Sequence, residues 1–561
     1  MIPAAANSLW LAGCLPEYAR FHRATKQVAV EQSAILSRIL AANADTRFGR
    51  SHGFSSIRSA QDFQKRVPPC EYEDYQESIV EIAGGAPYIL TRDPVRILEP
   101  TSGSSSASKL IPYTNSLHRE FQAGIRAWIA DLFLHSPDLM NGQAYWAVSP
   151  LAAKHRRPAS RIPIGFEDDT SYLGGWQSRL VQAVMAVPGA VGLISEMDLF
   201  RYVVLLFLAR SRNLKLISVW NPTFFTLLTD RLPEWGDELA GDVERGTIRA
   251  GLERALPASI RDSLYRDPRR ARELRAALRA TTPGEIHTQL WPHLRLISCW
   301  ADANASGAAA QLRKSFPHAE LQSKGLLATE GFISLPLSNQ KNAALAIRSH
   351  FLEFLPADSV GRVDRDHPRL AHELDRGQQY AVVLTTGGGL YRYALHDLIE
   401  VTGHLRACPL IRFLGREGCV SDWFGEKLNE AHVSSVLRNA FSELGISPSF
   451  AMLACETQQI SPAYVLYIDA PEPDALLHRA AEFVESALHE NFHYHCARKL
   501  GQLGPLRAFR AQGAAQAYIA ACVRNGQRAG DVKPLALDRR NGWGSVFQGE
   551  ARARMLSAAA R

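Results

Sequence analysis

Short apolar runs that end in polar residues recur along the N-terminal part of the chain, and segments with helical spacing separate them. The runs "LKLISVWNP" (214–222) and "LRLISCWAD" (294–302) both have this form, while "VVLLFLA" (203–209) is typical of a buried helix. Strands that alternate with helices favour α/β layering around a largely parallel sheet. The sequence therefore predicts an α/β fold for this part of the chain.

The pattern changes after "RFLGR" (412–416). The remainder predicts two alternating strands at 449–456 and 463–469, and a helix at 474–490. A short strand at 505–510 and a helix at 514–524 follow. A chain of 561 residues exceeds what one hydrophobic core usually organises. We therefore predict a large N-terminal domain with mixed or parallel sheets over 1–416, and a smaller α+β domain over 417–561.

Composition and charge exclude several classes of protein. The net charge of +7 comes from 63 basic and 56 acidic residues, and the arginines of 266–280 are typical of a solvated helix face rather than of a nucleic-acid site. No apolar run approaches the ~20 residues that a membrane span requires. The eight cysteines include no CxxC pair, which fits reduced thiols in a cytoplasmic protein. The segment "LAGC" (11–14) matches a lipoprotein cleavage box, but no basic residue precedes it, so we expect it in the first helix.

The stretch "TSGSSSASK" (101–109) is either a flexible linker or a loop that holds phosphate. A linker would lie between polar segments, whereas this stretch lies between the apolar runs "VRILEP" (95–100) and "LIPYT" (110–114). Small residues let backbone amides converge on an anion, hydroxyls donate hydrogen bonds, and Lys109 adds a positive charge. The stretch lacks GxxxxGK[ST], so it is not a Walker A loop. A capped turn is the remaining alternative.

Two further stretches place carboxylates beside apolar runs. "GLLATEGFISLP" (325–336) sets Thr329 and Glu330 in a loop, and "TTGGGLYRYALHDLIEVTG" (385–403) sets Asp397 just after a strand that follows a glycine turn. With the serine loop, and in this order, they resemble the three nucleotide-binding motifs of the GH3 family, acyl-acid amido synthetases of the adenylate-forming superfamily. The resemblance extends over nearly the whole chain, through the segments 67–85, 216–225, 290–302 and 421–430.

The resemblance implies an ATP site built from all three motifs. The ATP phosphates would be held by Thr101, Ser102, Gly103, Ser104, Ser105 and Lys109. Glu330 would bind Mg²⁺, which commonly takes one or two carboxylates besides phosphate oxygens, and Thr329 would contact the α-phosphate. Asp397 would accept both ribose hydroxyls, while Ala328, Thr329 and Phe332 would border the adenine. The local alternatives are a helix-cap pair for Thr329 and Glu330, an exposed ion pair for Asp397 and a core position for Phe332.

The predicted small domain carries two lysines that resemble the mobile lysine of the superfamily, which enters the site to neutralise charge at the α-phosphate. They are Lys427 and Lys533, and Lys533 lies in a Pro-marked loop near the C-terminus. We assign Lys533 to the catalytic set with Lys109, Thr329 and Glu330, and Lys427 to the nucleotide site. Arg416, at the domain boundary, would contact ribose or absorb domain rotation.

The acid pocket and two departures from the family pattern complete the analysis. The pocket would lie near Trp220, Asn221 and the stretch 161–176, whose aromatic and apolar residues suit an aromatic or aliphatic acid. Ala394 stands where the family typically has arginine, so the site loses a cation. His396 stands where glycine often precedes the aspartate, so the ribose site gains bulk.

The resemblance as a whole implies a two-step, ATP-dependent ligase. A small carboxylic acid would attack the α-phosphate of ATP to form an acyl-adenylate, and an amine, that of an amino acid, would then take the acyl group to form an amide. Two alternatives stay open: a ligase that passes the acyl group to coenzyme A or a carrier protein, and a nucleotide-binding protein without catalysis. A cytoplasmic monomer without nucleic-acid or membrane partners accords with the sequence.

Overall fold

Helices and strands alternate through the N-terminal part of the chain, as the sequence pattern predicts. The computed structural model describes residues 2–101, 109–146, 160–165, 184–194, 196–248, 256–303, 305–358, 363–417, 420–421, 423–424, 426, 428–457, 462–499, 502–525, 527 and 529–547. The helices up to residue 315 are α1 (Ile2–Ala24), α2 (Val28–Ala42), α3 (Arg47–Ser51), α4 (Ala60–Arg66), α5 (Tyr72–Ala83), α6 (Asn115–His135), α7 (Met197–Arg210), α8 (Pro222–Thr229), α9 (Leu232–Arg245), α10 (Ala258–Asp262), α11 (Pro268–Ala277), α12 (Pro283–Leu290) and α13 (Ala305–Ser315).

A four-stranded parallel sheet forms the centre of the first layered unit. Its strands are β3 (Gln143–Trp146), β4 (Leu214–Ser218), β5 (Leu296–Cys299) and β6 (Glu320–Ser323), side by side in chain order, after the β1–β2 hairpin (Ile97–Pro100 and Leu110–Tyr113). The middle of α7, residues 202–206, is fully buried, as expected of its continuous apolar run. The predicted α/β layering is confirmed. All four strands end at one edge, where ligands of such sheets usually bind.

A seven-stranded antiparallel sheet follows. Its strands are β7 (Ser334–Leu335), β8 (Ala343–Leu345), β9 (Phe351–Ala357), β10 (Arg369–Leu370), β11 (Gln379–Thr385), β12 (Tyr393–Leu405) and β13 (Cys408–Arg416), in the spatial order β10-β9-β11-β12-β13-β8-β7. The predicted largely parallel sheet describes the first sheet, whereas this second sheet is antiparallel. The apolar run of β11 does not itself specify the direction of the neighbouring strands. The mixed architecture as a whole matches the predicted fold class.

The helices on the N-terminal side pack against both sheets. Cys14 of α1 is fully buried, so "LAGC" belongs to the first helix as expected. Thr114 begins α6 by accepting a hydrogen bond from the Leu117 N–H at 3.1 Å, which satisfies one of the free donors at that helix end. Among the described residues, no helix is both long and apolar enough to cross a membrane.

The C-terminal part of the chain forms a second α+β unit. Its elements are β14 (Val420–Ser421), β15 (Leu428–Asn429), α14 (Glu430–Leu444), β16 (Phe450–Glu456), β17 (Ala463–Asp469), α15 (Asp474–Leu488), α16 (Phe492–Lys499), β18 (Arg507–Arg510), α17 (Ala514–Arg524) and β19 (Leu537–Asp538). A four-stranded sheet of order β18-β17-β16-β19 carries α14 and α15 on one apolar face and α17 on the other. These elements agree with the predicted strands and helices to within a few residues.

Candidate active site

The serine-rich motif connects the two strands of a hairpin. β1 and β2 pair antiparallel, and the Thr101 N–H donates to the Lys109 carbonyl at 2.8 Å. The loop between them lies outside the described part of the chain, and it contains the predicted phosphate ligands Ser102, Gly103, Ser104 and Ser105. Lys109 Nζ lies 5.3 Å from the centroid of the Tyr72 ring, a cation–π contact. Both ends of the stretch, Thr101 and Lys109, are therefore held together at the end of one hairpin.

Thr329 and Glu330 occupy the tip of a tight turn. The Ala328 N–H donates to the Gly331 carbonyl at 3.0 Å, and the Gly331 N–H donates back to the Ala328 carbonyl at 3.2 Å. The next element is the strand β7 and not a helix, so the helix-cap alternative does not apply. Glu330 is only 6% exposed, and burial raises the pKa of its carboxyl. The Tyr393 hydroxyl donates to Glu330 Oε1 at 3.4 Å.

Asp397 lies inside β12, so the prediction that it follows a strand is wrong. β12 bulges against β11, with a register shift between Ala381 and Val383, and continues through the bulge instead of ending there. Asp397 stands opposite Arg416, the last residue of β13, and Arg416 Nε lies 3.2 Å from Asp397 Oδ1. Asp397 is 2% exposed, which excludes the alternative of an exposed ion pair.

Four charged side chains from separate segments converge at this place. Burial is the main cause of the raised pKa of Glu330; the charges of Arg416 and Lys533 lower that pKa and the charge of Asp397 raises it. Lys533 of the C-terminal unit therefore lies close enough to Glu330 for its charge to act on that carboxyl, whereas Lys427 lies outside the described residues. Asp397 Oδ1 is buried and accepts no hydrogen bond in the described structure, despite the nearby guanidinium. The site thus holds one carboxylate oxygen with an unused acceptor position.

The carboxylates of the site suit a metal ion that takes some of its ligands from the protein and the others from a bound substrate. Within the described residues, no three or more His, Cys, Asp and Glu side chains converge as a metal site. A buried carboxylate such as Glu330 can supply one ligand to Mg²⁺, which usually takes its remaining ligands from phosphate oxygens and water.

Phe332 follows the acidic turn but points into the core. Its ring is 5% exposed, and the ring of Phe121 lies edge-on to it at 6.3 Å. A Cβ on Gly124 of α6 would approach Phe332 Cδ1 to 2.5 Å, so the ring packs directly on the helix backbone. The structure favours the core alternative for Phe332, while Ala328 is partly exposed in the turn.

A buried carboxylate–histidine pair, which sequence reasoning missed, links two of the motifs. The Phe332 N–H donates to His350 Nε2 at 2.9 Å, so His350 Nδ1 carries the proton and donates to Glu120 Oε2 at 2.8 Å. Glu120 also accepts from the Gly387 N–H, at 3.0 Å to each oxygen. The acidic turn and the glycine turn are thereby held at a fixed spacing. No local signal could have found the pair, because 230 residues separate its members.

His396, at the position where the resemblance leads us to expect glycine, ties three segments together. Its backbone is left-handed, with φ of 63°, the conformation that glycine adopts most easily. His396 Nε2 lies 2.5 Å from Glu71 Oε2, and Nδ1 lies 3.3 Å from Glu417 Oε2. Arg365 contacts the same two carboxylates, at 3.5 Å from Glu71 and 2.8 Å from Glu417. The bulge is therefore fastened to the start of α5 and to the residue that follows β13.

We expect this cluster to lose stabilising energy as the pH rises. Hydrogen bonding to Glu417 raises the pKa of His396 above its usual 6.5, burial opposes the rise, and Glu71 adds to it. A histidine whose pKa is raised on folding contributes its full stabilisation below the unfolded pKa and loses it as the pH passes the folded value. As the pH rises from below the usual pKa of 6.5 through the raised pKa of His396, the Tm should fall more steeply in the wild type than in His396→Gln. Thermal melts at stepped pH measure this, and parallel slopes would contradict it.

The two residues predicted for the acid pocket have different surroundings. Trp220 follows β4 at the carboxyl edge of the parallel sheet, and its ring centroid lies 5.9 Å from that of Trp300. Asn221 is fully buried and donates from Nδ2 to the Val532 carbonyl of the C-terminal unit at 2.8 Å. Trp220 thus lies at the carboxyl edge of the parallel sheet, and the buried Asn221 joins the two units. Of the stretch 161–176, residues 166–176 lie outside the described part.

Comparison with known proteins agrees with this architecture. The family models described as "GH3 family N-terminal domain", "GH3 family central domain" and "GH3 family C-terminal domain" match residues 17–321, 343–416 and 431–539. Among solved structures, AtGH3.15 acyl acid amido synthetase in complex with 2,4-DB superposes with a TM-score of 0.83 at 20% identity, over 96% of both chains.

Curated relatives align with most of this chain and over most of their own length. Indole-3-acetic acid-amido synthetase GH3.3 of Arabidopsis thaliana is 24% identical over 475 residues, which cover 79% of this chain and 77% of the relative. Indole-3-acetic acid-amido synthetase GH3.8 of Oryza sativa subsp. indica is 26% identical over 475 residues, with 79% and 76% covered. With three family domains matched in order along most of its length, the chain belongs to the GH3 family.

Proposed function

We propose that this protein is an ATP-dependent acyl-acid amido synthetase. It converts a small carboxylic acid and ATP into an acyl-adenylate and pyrophosphate, and then transfers the acyl group to the amine of an amino acid, with release of AMP. The observation that carries the proposal is the meeting of two buried carboxylates, Glu330 and Asp397, with Arg416 and Lys533. Family membership and the amido synthetases among its relatives support the reaction class.

Asp397 is the proposed ribose ligand. Its Oδ1 is buried without a hydrogen bond from the described residues, which would be unfavourable unless a ligand donates to it. Ribose hydroxyls are donors of the right kind for a carboxylate oxygen, and Arg416 Nε lies 3.2 Å from the same oxygen. Ala328 and Thr329, in the acidic turn, are proposed to border the adenine.

The phosphates belong at the serine loop in this proposal. Thr101 and Lys109 close the loop, and Ser102, Gly103, Ser104 and Ser105 are proposed as donors to the phosphate oxygens. Thr329 donates to the α-phosphate, and Glu330 supplies a carboxylate to Mg²⁺. The ion, when bound, neutralises charge on the phosphates and on the departing pyrophosphate. The protein itself contributes positioning and fixed charge rather than a covalent intermediate.

We place the domain boundary at residues 416 and 417, directly after β13. The small domain, 417–561, rotates between the two chemical steps and so excludes water from the acyl-adenylate. Lys533, whose charge acts on Glu330, is the proposed mobile lysine, with Lys427 as a further nucleotide contact. The described cysteines that are free and buried, such as Cys299 and Cys408, suit a reducing cytoplasm.

Acid-dependent ATP–pyrophosphate exchange tests the proposal directly. Purified protein is screened with aromatic and aliphatic carboxylic acids in the presence of Mg²⁺, and each acid that supports exchange is then incubated with amino acids or with coenzyme A. We expect exchange with one class of acid, and an amide with release of AMP by mass spectrometry. A thioester in place of the amide would favour the thiol-dependent ligase. Intact ATP binding without exchange for any acid would favour a binding protein.

Asp397→Asn should weaken ATP binding more than it slows the chemistry. The amide keeps the size of the carboxylate but loses its charge and one acceptor, so hydrogen bonds from ribose are lost. We expect the KM for ATP to rise about tenfold or more, since hydrogen bonds to charged groups are worth about 1.5–3 kcal/mol. Glu400→Gln, three residues along the same strand and paired with Arg412, is the matched control and should keep the wild-type KM. An unchanged KM in Asp397→Asn would contradict the ribose assignment.

A further inference from the structure

The loop that carries Lys533 is held by its own domain and also by the large domain. On its own side, the Leu453 N–H donates to the Ala536 carbonyl at 2.7 Å, which anchors the loop beside β16. On the large-domain side, Asn221 Nδ2 donates to the Val532 carbonyl at 2.8 Å, and Lys533 Nζ lies 5.1 Å from the ring centroid of Trp300. Two adjacent loop residues are therefore contacted by two residues at the carboxyl edge of the parallel sheet.

Asn221 can present its amide in one orientation only. Its Oδ1 accepts a hydrogen bond from the Thr223 N–H at 2.8 Å and so begins α8, which leaves Nδ2 directed at Val532. The side chain is fully buried, so its orientation is fixed by packing. Apolar contact accompanies the bond, because Leu227 of α8 packs against the core of the small domain.

Trp300 is fixed as well. The backbone N–H of Trp300 donates to the Trp220 carbonyl at 2.9 Å, which continues the pairing of β4 and β5 past the strand ends. Its ring rests against that of Trp220, whose other neighbour is Lys324 Nζ at 4.8 Å from the Trp220 centroid. The indole face of Trp300 is thus a rigid platform on which an ammonium group can lie.

We propose that Asn221 and Trp300 form a dock that positions Lys533 for the adenylation step, an assignment that rests on the proposed function. The dock consists of one hydrogen bond to the loop backbone and one aromatic face beneath the ammonium. It exists only while the small domain lies in the present orientation, because each contact joins the two domains. Neither residue touches the reacting atoms; both act through Lys533.

The two half-reactions separate this role from a general structural one. Step one is followed by pyrophosphate exchange, and step two by transfer from a synthetic acyl-adenylate to the amine. We expect Trp300→Leu to lower kcat for exchange about tenfold with little change in the KM for the acid, the size expected of a cation–π contact. Transfer from the acyl-adenylate should stay within about twofold of wild type. Equal losses in both steps would overturn the dock.

Two further comparisons use conservative variants. Trp300→Phe retains an aromatic face and should recover most of the exchange that Trp300→Leu loses. In a Lys533→Ala background, Trp300→Leu should cause no additional loss, because residues that act through one another are not additive. Full additivity of the two changes would contradict a shared role.

Asn221→Asp removes the hydrogen bond to the loop. The ionised carboxylate still accepts from the Thr223 N–H, so the start of α8 is preserved, but it cannot donate to Val532 and repels that carbonyl oxygen. We expect exchange to fall at least about fivefold, because a buried hydrogen bond is replaced by a repulsive contact.

Hydrogen–deuterium exchange of the peptide 529–538 supplies a readout that needs no activity. Faster deuterium uptake there in Asn221→Asp, with unchanged uptake in α8, is the expected result, and unchanged uptake in 529–538 overturns the dock. If the wild type supports no pyrophosphate exchange with any acid, the proposed function fails, and deuterium uptake alone decides whether the dock exists.

Discussion

Replacing Glu330 with glutamine should abolish acid-dependent pyrophosphate exchange, with a loss of at least about a thousandfold in kcat. The turn itself should survive, because the reciprocal hydrogen bonds between Ala328 and Gly331 hold it without the side chain. What disappears is the carboxylate that we propose as a ligand of Mg²⁺ beside the phosphates. Stopped assays with labelled pyrophosphate, over a titration of Mg²⁺, measure the loss.

The same variant carries a stability prediction that distinguishes chemistry from misfolding. Burial raises the pKa of Glu330, so ionising this carboxyl is unfavourable in the folded protein, and a neutral amide should leave the Tm unchanged or raise it. Glu320→Gln, an exposed carboxylate at the start of β6, is the control and should retain full activity. Exchange within about tenfold of wild type in Glu330→Gln would remove Glu330 from the metal site.

Removing Glu353 should destabilise the protein by about 3–5 kcal/mol. Glu353 of β9 is 1% exposed, and both of its oxygens accept from Arg392 Nε, at 3.1 and 3.0 Å. In Glu353→Ala the Arg392 guanidinium stays buried without its counter-charge, and its remaining acceptors include the Val67 carbonyl at 2.7 Å. The midpoint of urea unfolding and the Tm both report the change.

An exposed ion pair provides the comparison for this loss. Arg231 and Glu234 of α9 lie 2.7 Å apart on the surface, so Glu234→Ala should shift the free energy of unfolding by less than about 1 kcal/mol. A similar small shift in Glu353→Ala would mean that water or a neighbouring carboxylate compensates Arg392. Because Arg392 lies in the glycine turn, Glu353→Ala should also loosen the segment that leads to Asp397.

The parts of the fold that could be predicted are those with a local cause. The apolar runs at β4 and β5 end in polar residues, and their alternation with helices was enough to predict a parallel sheet. The apolar run "QYAVVLTT" (379–386) is typical of a strand and forms β11, but it does not specify whether its partners run parallel or antiparallel. The antiparallel sheet therefore emerged only from the structure.

The candidate site divides in the same way. The sequence pointed to Glu330 and Asp397 through motif order, and the structure brings both to one place. The bulge around Asp397 was not predictable, because His396 adopts a left-handed backbone that only glycine signals in a sequence. The capping role of Asn221 has a local signature, because the residue stands directly before a proline at the start of a helix. Its contact with Val532 has no local signature, because the two residues are 311 positions apart.

The tight fit around Gly387 imposes a rule on how relatives of this chain can diverge. A side chain at position 387 would place its Cβ 2.6 Å from Glu120 Oε1 and 2.7 Å from Ser116 Cβ. Positions 116, 120 and 387 therefore cannot change independently: a relative with any residue larger than glycine at 387 must carry a shorter side chain at 120 and must also relieve the contact with the Cβ at 116, by glycine there or by a backbone shift. In such a relative the histidine equivalent to His350 loses its carboxylate, so substitutions at 120, 350 and 387 should co-vary in a family alignment.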